Sequence, residues 1–353
     1  MPLFSLKDLP PPPKGTFGFP YTEETPPQYL SGNLPKITII TPSFNQGQFI
    51  EQTIRSVLLQ NYPNLEYIII DGGSTDNTLE IIKKYSDFIT YWVSEKDNGQ
   101  SNAINKGLKI ATGDVFNWLN SDDYYLPNAL LTIGRYFVAN KHLEVLCGRE
   151  IHLLKDGSLS QPTQGTTILP TLEATIALGN CNQPPTFFRL PVLRKLGSLS
   201  ENLYFCMDSD LWTRYLAHFG WENVLKIEEI INVFRLHDLS KSLSARRIYY
   251  TDRFNILMSL LESADIPSFP RSFLADNDFF KIYFHRKYPL SKMDKKRLSV
   301  AITHNLLHSY TQYMTWTAFF ELYFYTLKQD FFKQSPRLYA APFIKLKRIF
   351  KPI

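Results

Sequence analysis

Three cysteines in 353 residues, Cys147, Cys181 and Cys206, are too few for a disulfide framework, and no C-x-x-C pair suggests zinc or redox chemistry. A reducing cytosol suits such a chain best. Charge is also sparse, at 20% against 44% apolar residues, which excludes intrinsic disorder for the bulk and leaves ample material for a core. Long apolar runs are missing too. The longest stretch free of Asp, Glu, Lys and Arg, Leu298 to Phe320, contains His304, Asn305, His308, Ser309 and Gln312. A membrane span needs about 20 mainly apolar residues, so a buried or interfacial helix is expected there. The first residues lack the basic-then-apolar order of a secretory leader, because Lys7, Asp8 and Pro10 to Pro13 interrupt it, and secretion is not expected.

The formal charge of +5 is unevenly placed. Residues 331–353 hold Lys333, Arg337, Lys345, Lys347, Arg348 and Lys351 and no acid, which leaves 32 basic against 33 acidic residues in the rest. A near-neutral body speaks against a nucleic-acid binder, which should carry cationic stripes across its domain. The basic segment is interleaved with Phe331, Phe332, Leu338, Tyr339, Phe343, Ile344, Leu346, Ile349 and Phe350. Two readings stand for it: contact with an anionic membrane surface, or a terminal helix docked on the protein body.

Residues 1–35 are rich in proline and predict an extended arm. From Lys36 short β-branched runs alternate with segments of helical period. Strands are expected at Ile37–Ile40, Leu65–Ile70, Ile89–Val93 and Val115–Leu119, with helices between them carrying Phe49 to Leu58, Thr78 to Tyr85 and Ser101 to Ile110. Strands separated by helices predict a parallel sheet covered on its faces. Pro127 suits the first turn of a further helix with Ala129, Leu130, Ile133 and Phe137. Lys155-Asp156-Gly157 predicts a hairpin. Helices are also suggested at 172–177, 193–196 and 211–219, and most of the chain beyond Ser244 reads helical.

In such a sheet ligands gather at the carboxyl ends of the strands, where helix N-termini point. Three polar clusters fall there: Thr41-Pro42-Ser43-Phe44-Asn45, Asp71-Gly72-Gly73-Ser74-Thr75-Asp76 and Asn120-Ser121-Asp122-Asp123. Asp71 directly follows three isoleucines, and its carboxylate suits a nucleobase imide or a ribose hydroxyl. Ser74 and Asp76 read more simply as helix caps. Asp122 and Asp123 are adjacent like charges with no nearby Lys or Arg in sequence. A hard divalent cation completed by diphosphate and water would relieve their repulsion, while a solvated loop or a cap before Pro127 is the plainer alternative.

With these clusters in place, the stretch Ile39 to Asn128 resembles the nucleotide-sugar-binding half of the family-2 glycosyltransferases, inverting enzymes of GT-A fold. The match rests on the three clusters together with Ser94-Glu95-Lys96-Asp97-Asn98-Gly99-Gln100-Ser101-Asn102-Ala103-Ile104-Asn105-Lys106-Gly107. It resumes at Gln183 to Trp212 and weakens after Ser244. The resemblance implies an α/β fold with a Rossmann-like, mostly parallel sheet flanked by helices and a helical C-terminal region. It divides the chain into an arm (1–35), a catalytic domain (36–243, with a nucleotide-sugar half 36–126 and an acceptor half 127–243) and a helical region (244–353). It places Thr41, Pro42, Ser43 and Asp71 at the nucleoside. Asp122 falls with the donor, Asp123 and His237 with a Mn²⁺ or Mg²⁺ ion, and Lys106 near the diphosphate, an exposed helix lysine being an equal alternative.

Transfer to a hydroxyl also needs a base. Met207-Asp208-Ser209-Asp210-Leu211-Trp212 resembles the family's Glu-Asp-x-Asp-Leu segment, with Asp208 at the base position and Met207 in place of the usual Glu. Asp210 is the runner-up, or a charge at a helix N-terminus. Gln183 and the Pro184-to-Arg189 run suggest either sugar contacts or sheet packing. The function implied is transfer, with inversion, from a nucleotide-diphosphate sugar, in first place a UDP-sugar, to a saccharide or lipid-linked hydroxyl on the cytoplasmic side of a membrane. Two other classes compete. A nucleotidyltransferase would show a Gly-rich basic loop after the first strand, where Gly47 stands alone, and a scaffold relative could have lost the base.

Overall fold

Ile37 and Ile39 point to one side of the first strand, and Thr38 and Ile40 to the other, and all four are buried, as expected of a strand covered on both faces. A computed structural model of the chain describes residues 3–26, 33–238, 246–266, 269–270 and 281–328. The basic segment 331–353 lies outside the described residues, as do Leu239 and Ser240.

The elements run β1 (Ile37–Ser43), α1 (Ile50–Leu58), β2 (Leu65–Asp71), α2 (Thr78–Lys84), β3 (Tyr91–Ser94), α3 (Gln100–Ile110), β4 (Val115–Trp118), β5 (Tyr124–Tyr125), α4 (Ala129–Ala139) and β6 (Val145–Leu153). They continue with α5 (Leu172–Leu178), β7 (Thr186–Arg189), α6 (Leu190–Leu196), α7 (Met207–Phe219), β8 (Val224–Arg235), α8 (Arg246–Ala264), α9 (Lys295–Ser309) and α10 (Trp316–Lys328). Each strand and helix expected between residues 36 and 119 is present, although β1 runs on through Pro42 to Ser43 and β3 starts at Tyr91 and not at Ile89. Pro127 stands just upstream of α4 instead of inside it, because Asn128 takes a left-handed turn (φ 65°) before the helix starts.

Cα packing divides the chain into two units. The first comprises Met1–Thr166, Cys181–Glu201 and Glu222–Ser244 and contains the whole sheet. Its eight strands lie in the order β3-β2-β1-β4-β7-β6-β8-β5. β1 is parallel to β2 and β4, β2 to β3, and β6 to β8, while β4–β7, β6–β7 and β5–β8 are antiparallel. Lys155 to Gly157 do form a turn, yet it closes on only one bridge, Leu153 to Leu159, since β6 takes its partners from β7 and β8.

One face of β1 and β2 is covered by α1 and α4 through Ile37, Ile39, Tyr67, Ile69, Ile54, Val57, Leu130, Ile133 and Phe137. On the other face α3 comes so close that a Cβ on Gly107 would stand 2.7 Å from the Ile40 side chain. Each buried isoleucine contributes about 1.5–3 kcal/mol. The proline-rich segment is not simply extended. Its Leu9 joins the core beneath Phe4, Leu6 and Phe19, and the fully buried Arg55 of α1 donates to the carbonyls of Pro20 (2.9 Å) and Pro10 (2.8 Å) and to the Tyr85 hydroxyl (3.0 Å). Prolines lack N–H groups but keep their carbonyls, and a guanidinium satisfies several at once.

The second unit comprises Thr167–Asn180, Asn202–Trp221 and Ala245–Ile353, and thus takes α5 and α7 together with α8, α9 and α10. Leu298, Ile302 and Leu306 of α9 are fully buried. The last carbonyls of α5 are satisfied by side chains from other helices, Asn305 Nδ2 to Ala177 O at 2.6 Å and Arg253 Nη2 to the same oxygen at 3.3 Å. The uncharged stretch 298–320 is broken after Ser309 by a 3₁₀ turn at Thr311–Tyr313, and no helix among the described residues is long and apolar enough to cross a membrane.

Candidate functional site

Chain direction reverses its march across the sheet between β1 and β4: β2 and β3 are added on one side of β1, and β4 on the other. The crevice at the carboxyl ends of such a pair is where open α/β sheets bind ligands. Ser43 ends β1, Asp71 ends β2 in register with it, and Leu119 to Asp123 follow β4. The loop after β4 is tied to α1, whose Thr53 Oγ1 donates to the carbonyl of Asp123 at 2.6 Å and lies 3.0 Å from that of Ser121.

Asp71 is fully buried and holds its own turn together. Its Oδ2 accepts from Ser94 Oγ (2.6 Å), Ser74 N (2.9 Å) and Gly73 N (3.1 Å), and its Oδ1 from Ser74 Oγ. A carboxylate has roughly four lone-pair sites, so Oδ1 keeps about one for a ligand. Ser74 does not cap α2; its Oγ accepts from Asn45 N at 2.7 Å. Asp76 spans both tasks, Oδ1 accepting from Thr78 N (3.0 Å) and Oδ2 from Gly47 N (2.9 Å). The β1 and β2 loops are thereby laced into one rim. At that rim the buried Ser43 hydroxyl has no hydrogen-bond partner among the described residues, the kind of group a nucleoside would satisfy. Thr41 and Pro42 are buried as well, with Thr41 Oγ1 3.2 Å from Tyr67 OH.

Lys106 of α3 pairs with Glu95 at 2.8 Å and donates to Lys96 O at 3.3 Å. The amide nitrogen of Gln183 is committed to the sheet: Nε2 donates to Trp118 O (2.8 Å) and Asn117 Oδ1 (3.0 Å). Phe187 and Phe188 are core residues.

The acidic pair splits into an inner and an outer carboxylate. Asp123 is 1% exposed; its Oδ1 accepts from Arg235 N at 2.9 Å and its Oδ2 lies 3.3 Å from Asn120 Nδ2. Burial, the adjacent Asp122 charge and the Glu150 charge push its carboxyl well above the usual range. Asp122 is the outer one, with its side chain 22% exposed and Oδ2 2.9 Å from His237 Nε2. His237, 13% exposed, lies against the Phe49 ring at 4.6 Å between centroids. The resemblance places Asp123 and His237 together at a metal ion; the carboxylate within hydrogen-bond reach of the imidazole is that of Asp122.

A residue absent from the sequence-based set fixes this arrangement. Arg235, at the end of β8, gives its N–H to Asp123 and its Nε to Asp122 O at 2.9 Å, bonds Gln52 Oε1 through Nη2, and lies over the rings of Phe49 (4.8 Å) and Tyr124 (5.7 Å). Its signal was the Arg-x-His spacing ahead of His237, which carries no meaning until β8 is seen beside β5.

Among the described residues no group of three or more His, Cys, Asp or Glu stands together as a ready metal site. Two outward donors nonetheless suit a hard divalent cation that takes one or two protein ligands and completes its shell with phosphate and water. Cis positions of an octahedron with bonds of about 2.1 Å are about 3.0 Å apart, close to the 2.9 Å between Asp122 Oδ2 and His237 Nε2. The buried like-charge neighbour supplies the demand for positive charge.

In the second unit, Asp208 opens α7 with Oδ1 accepting from Ser209 N at 2.7 Å. Burial raises its pKa to about 6, against the opposing pull of the Ser209 N–H and the Arg253 charge. Asp210 is fully buried and committed on both oxygens, Oδ2 to Arg214 Nε (3.0 Å), Oδ1 to Tyr288 OH (2.8 Å) and Arg286 Nε (3.2 Å). Asp252 fastens the start of this helix by accepting from Phe205 N (2.6 Å) and Cys206 N (3.2 Å). All three cysteines are buried thiols outside any disulfide among the described residues.

Comparison with known proteins agrees with this architecture. Residues 38–197 match the model of glycosyl transferase family 2. An uncharacterized glycosyltransferase of Rickettsia typhi is 31% identical over 216 residues, 58% of this chain and 65% of that protein, so the chain spans just under two thirds of that relative's length. Among solved structures, S. aureus TarS 1–349 in complex with UDP superposes with a TM-score of 0.55 at 15% identity, covering 88% of each chain. The TarS 1–349 complex with UDP-GlcNAc gives 0.53 at 18% identity over the same shares. At these identities the structural likeness speaks for the fold, and in sequence the segment 38–197 is similar to glycosyl transferase family 2.

Proposed function

We propose that the protein transfers a sugar from a nucleoside-diphosphate donor, a UDP-sugar, to a hydroxyl of a saccharide or lipid-linked acceptor, with inversion at the anomeric carbon. The observation that carries this reading is the outward pair Asp122 and His237, 2.9 Å apart, at the switch point of a family-2 sheet. Ser43 and the last lone pair of Asp71 suit the nucleoside end. Lys106 and the N-terminus of α3 bring positive charge to the same edge. The TarS complexes with UDP and UDP-GlcNAc favour uridine as the base.

Asp122 and His237 would hold Mn²⁺ or Mg²⁺, which when bound supplies positive charge for the departing diphosphate. Arg235 keeps the two carboxylates in place and Asp123 braces the turn behind them. In a single in-line displacement, the acceptor oxygen forms its bond to the anomeric carbon as the bond to the diphosphate oxygen breaks, and the acceptor proton passes to Asp208. With a pKa of about 6, Asp208 is ionised at neutral pH yet basic enough to take that proton. Asp210, with both oxygens engaged by Arg214, Arg286 and Tyr288, is a structural charge in this reading. The aromatic and basic segment 331–353 suits peripheral contact with an anionic membrane on its cytoplasmic face, where lipid-linked acceptors lie.

Incubation with a panel of UDP-sugars, Mn²⁺ and simple glycosides tests the proposal. Release of UDP with gain of a glycosidic bond is expected. Release of pyrophosphate would indicate nucleotidyl transfer, and binding of nucleotide without any release would indicate a scaffold.

A further inference from the structure

Glu150 is an acid to which the transfer reaction gives no task. It lies on β6, 4% exposed, and among the described residues no Lys or Arg forms an ion pair with it. Its contacts are Oε1 to Asn182 Nδ2 at 3.1 Å and to His152 Nε2 at 3.3 Å, and Oε2 to Asn232 Nδ2 at 3.4 Å. Charge-assisted bonds to a carboxylate usually measure about 2.7–2.9 Å, so these lone pairs are poorly served for a buried charge. Beside them Asn232 is fully buried, and its Oδ1 has no hydrogen-bond partner among the described residues. The cluster reaches the surface at His152, whose side chain is 32% exposed.

Strand register ties this cluster to the donor site of the same unit. Glu150 stands opposite Asn232 on β8, and Asn232 opposite Tyr125 on β5, two residues after Asp123. His152 stands opposite Phe234, next to Arg235. The cluster is rich in acceptors. His152 Nε2, facing a carboxylate, carries the ring proton in the neutral tautomer and leaves Nδ1 to accept. Glu150 and Asn232 Oδ1 accept as well. Such a set repels phosphate, which brings only further acceptors and negative charge, and matches a ligand whose hydroxyls donate.

Building on the transferase reading above, we propose that Glu150, His152, Asn182 and Asn232 form the subsite that recognises sugar hydroxyls and so sets sugar specificity, with Glu150 as its principal acceptor. The hydroxyls belong to the donor sugar or to the acceptor saccharide, two sources with one chemistry.

The test uses the full chain, Glu150→Gln and His152→Ala, with UDP, UDP-GlcNAc, UDP-Glc and UDP-Gal in calorimetry with Mn²⁺, and methyl glycosides as acceptor probes in turnover. Loss of a hydrogen bond to a charged group costs roughly tenfold or more in affinity. If the donor sugar is read, both variants bind UDP as the wild type does, and the preferred UDP-sugar about tenfold or more weakly. If the acceptor is read, UDP-sugar affinity holds and the KM for the glycoside rises by a similar factor with kcat little changed. The proposal is overturned if both variants leave every one of these constants within twofold, or weaken UDP as much as the UDP-sugar. Should Glu150→Gln fail to fold, His152→Ala, at a partly exposed position, decides alone. A wild type that binds no nucleotide at all would instead remove the transferase reading on which the subsite rests.

Discussion

Replacing Asp208 by Asn should make the protein both inactive and more stable, and the two effects share one cause. Burial raises the Asp208 carboxyl from 3.8 to about 6, a shift of about two units, worth roughly 3 kcal/mol. The folded state therefore holds this proton more tightly than the unfolded chain does. The resulting penalty is absent below pH 3.8, grows as the pH rises from there to about 6, and is fully present above it. Asparagine keeps the shape and the acceptor for Ser209 N–H while removing the charge. At pH 7.5 urea unfolding should show Asp208→Asn stabilised by up to about 3 kcal/mol, with the gain shrinking at pH 5. Turnover should fall by about 10² to 10⁴, the usual contribution of a general base, with UDP affinity retained. Wild-type turnover should in turn drop about tenfold per pH unit below about 6. A variant less stable than wild type at pH 7.5, or one that turns over within a few-fold of it, would refute this reasoning.

Three further outcomes are expected. Arg55→Met should cost about 3 kcal/mol or more in urea melts, because it leaves the Pro10 and Pro20 carbonyls without their donor; a loss below about 0.5 kcal/mol would mean the proline-rich segment is not held this way. Gly113→Ala should cost about 1–3 kcal/mol, since its Cβ would meet the Thr38 hydroxyl at 2.5 Å and also the backbone at Lys36 O and Thr38 N, both 2.9 Å away, which cannot swing aside; an unchanged Tm would contradict that. Deleting 331–353 should abolish salt-sensitive flotation with anionic liposomes while leaving turnover on soluble glycosides unchanged, and equal flotation of both forms would discard membrane contact by this segment.

The first half of the sheet was legible because its signals are local. Ile37-Thr38-Ile39-Ile40 and Ile68-Ile69-Ile70 are β-branched runs too short to be helices, and the apolar period of α1 is unmistakable. The polar clusters at the strand ends followed from that alternation. What escaped is non-local. The sequence gives no sign that β6 would leave its hairpin turn to run parallel with β8, nor that α5 and α7 would pack with the C-terminal helices. Register between distant strands decides which of two adjacent aspartates meets His237, so Asp122 and Asp123 could not be told apart by position alone. Arg235 and Glu150 were missed for the same reason, each acquiring meaning only from a neighbouring strand.

The central claim, that Asp122 and His237 bind a divalent cation for the donor's diphosphate, is tested most directly by titrating UDP into wild type, Asp122→Asn and His237→Ala, with Mn²⁺ and with excess chelator. Wild type should bind UDP at least tenfold more tightly with Mn²⁺, and both variants should lose that enhancement while keeping the weak metal-free affinity. Equal affinity with Mn²⁺ and with chelator in the wild type, or a full Mn²⁺ effect in both variants, would contradict it.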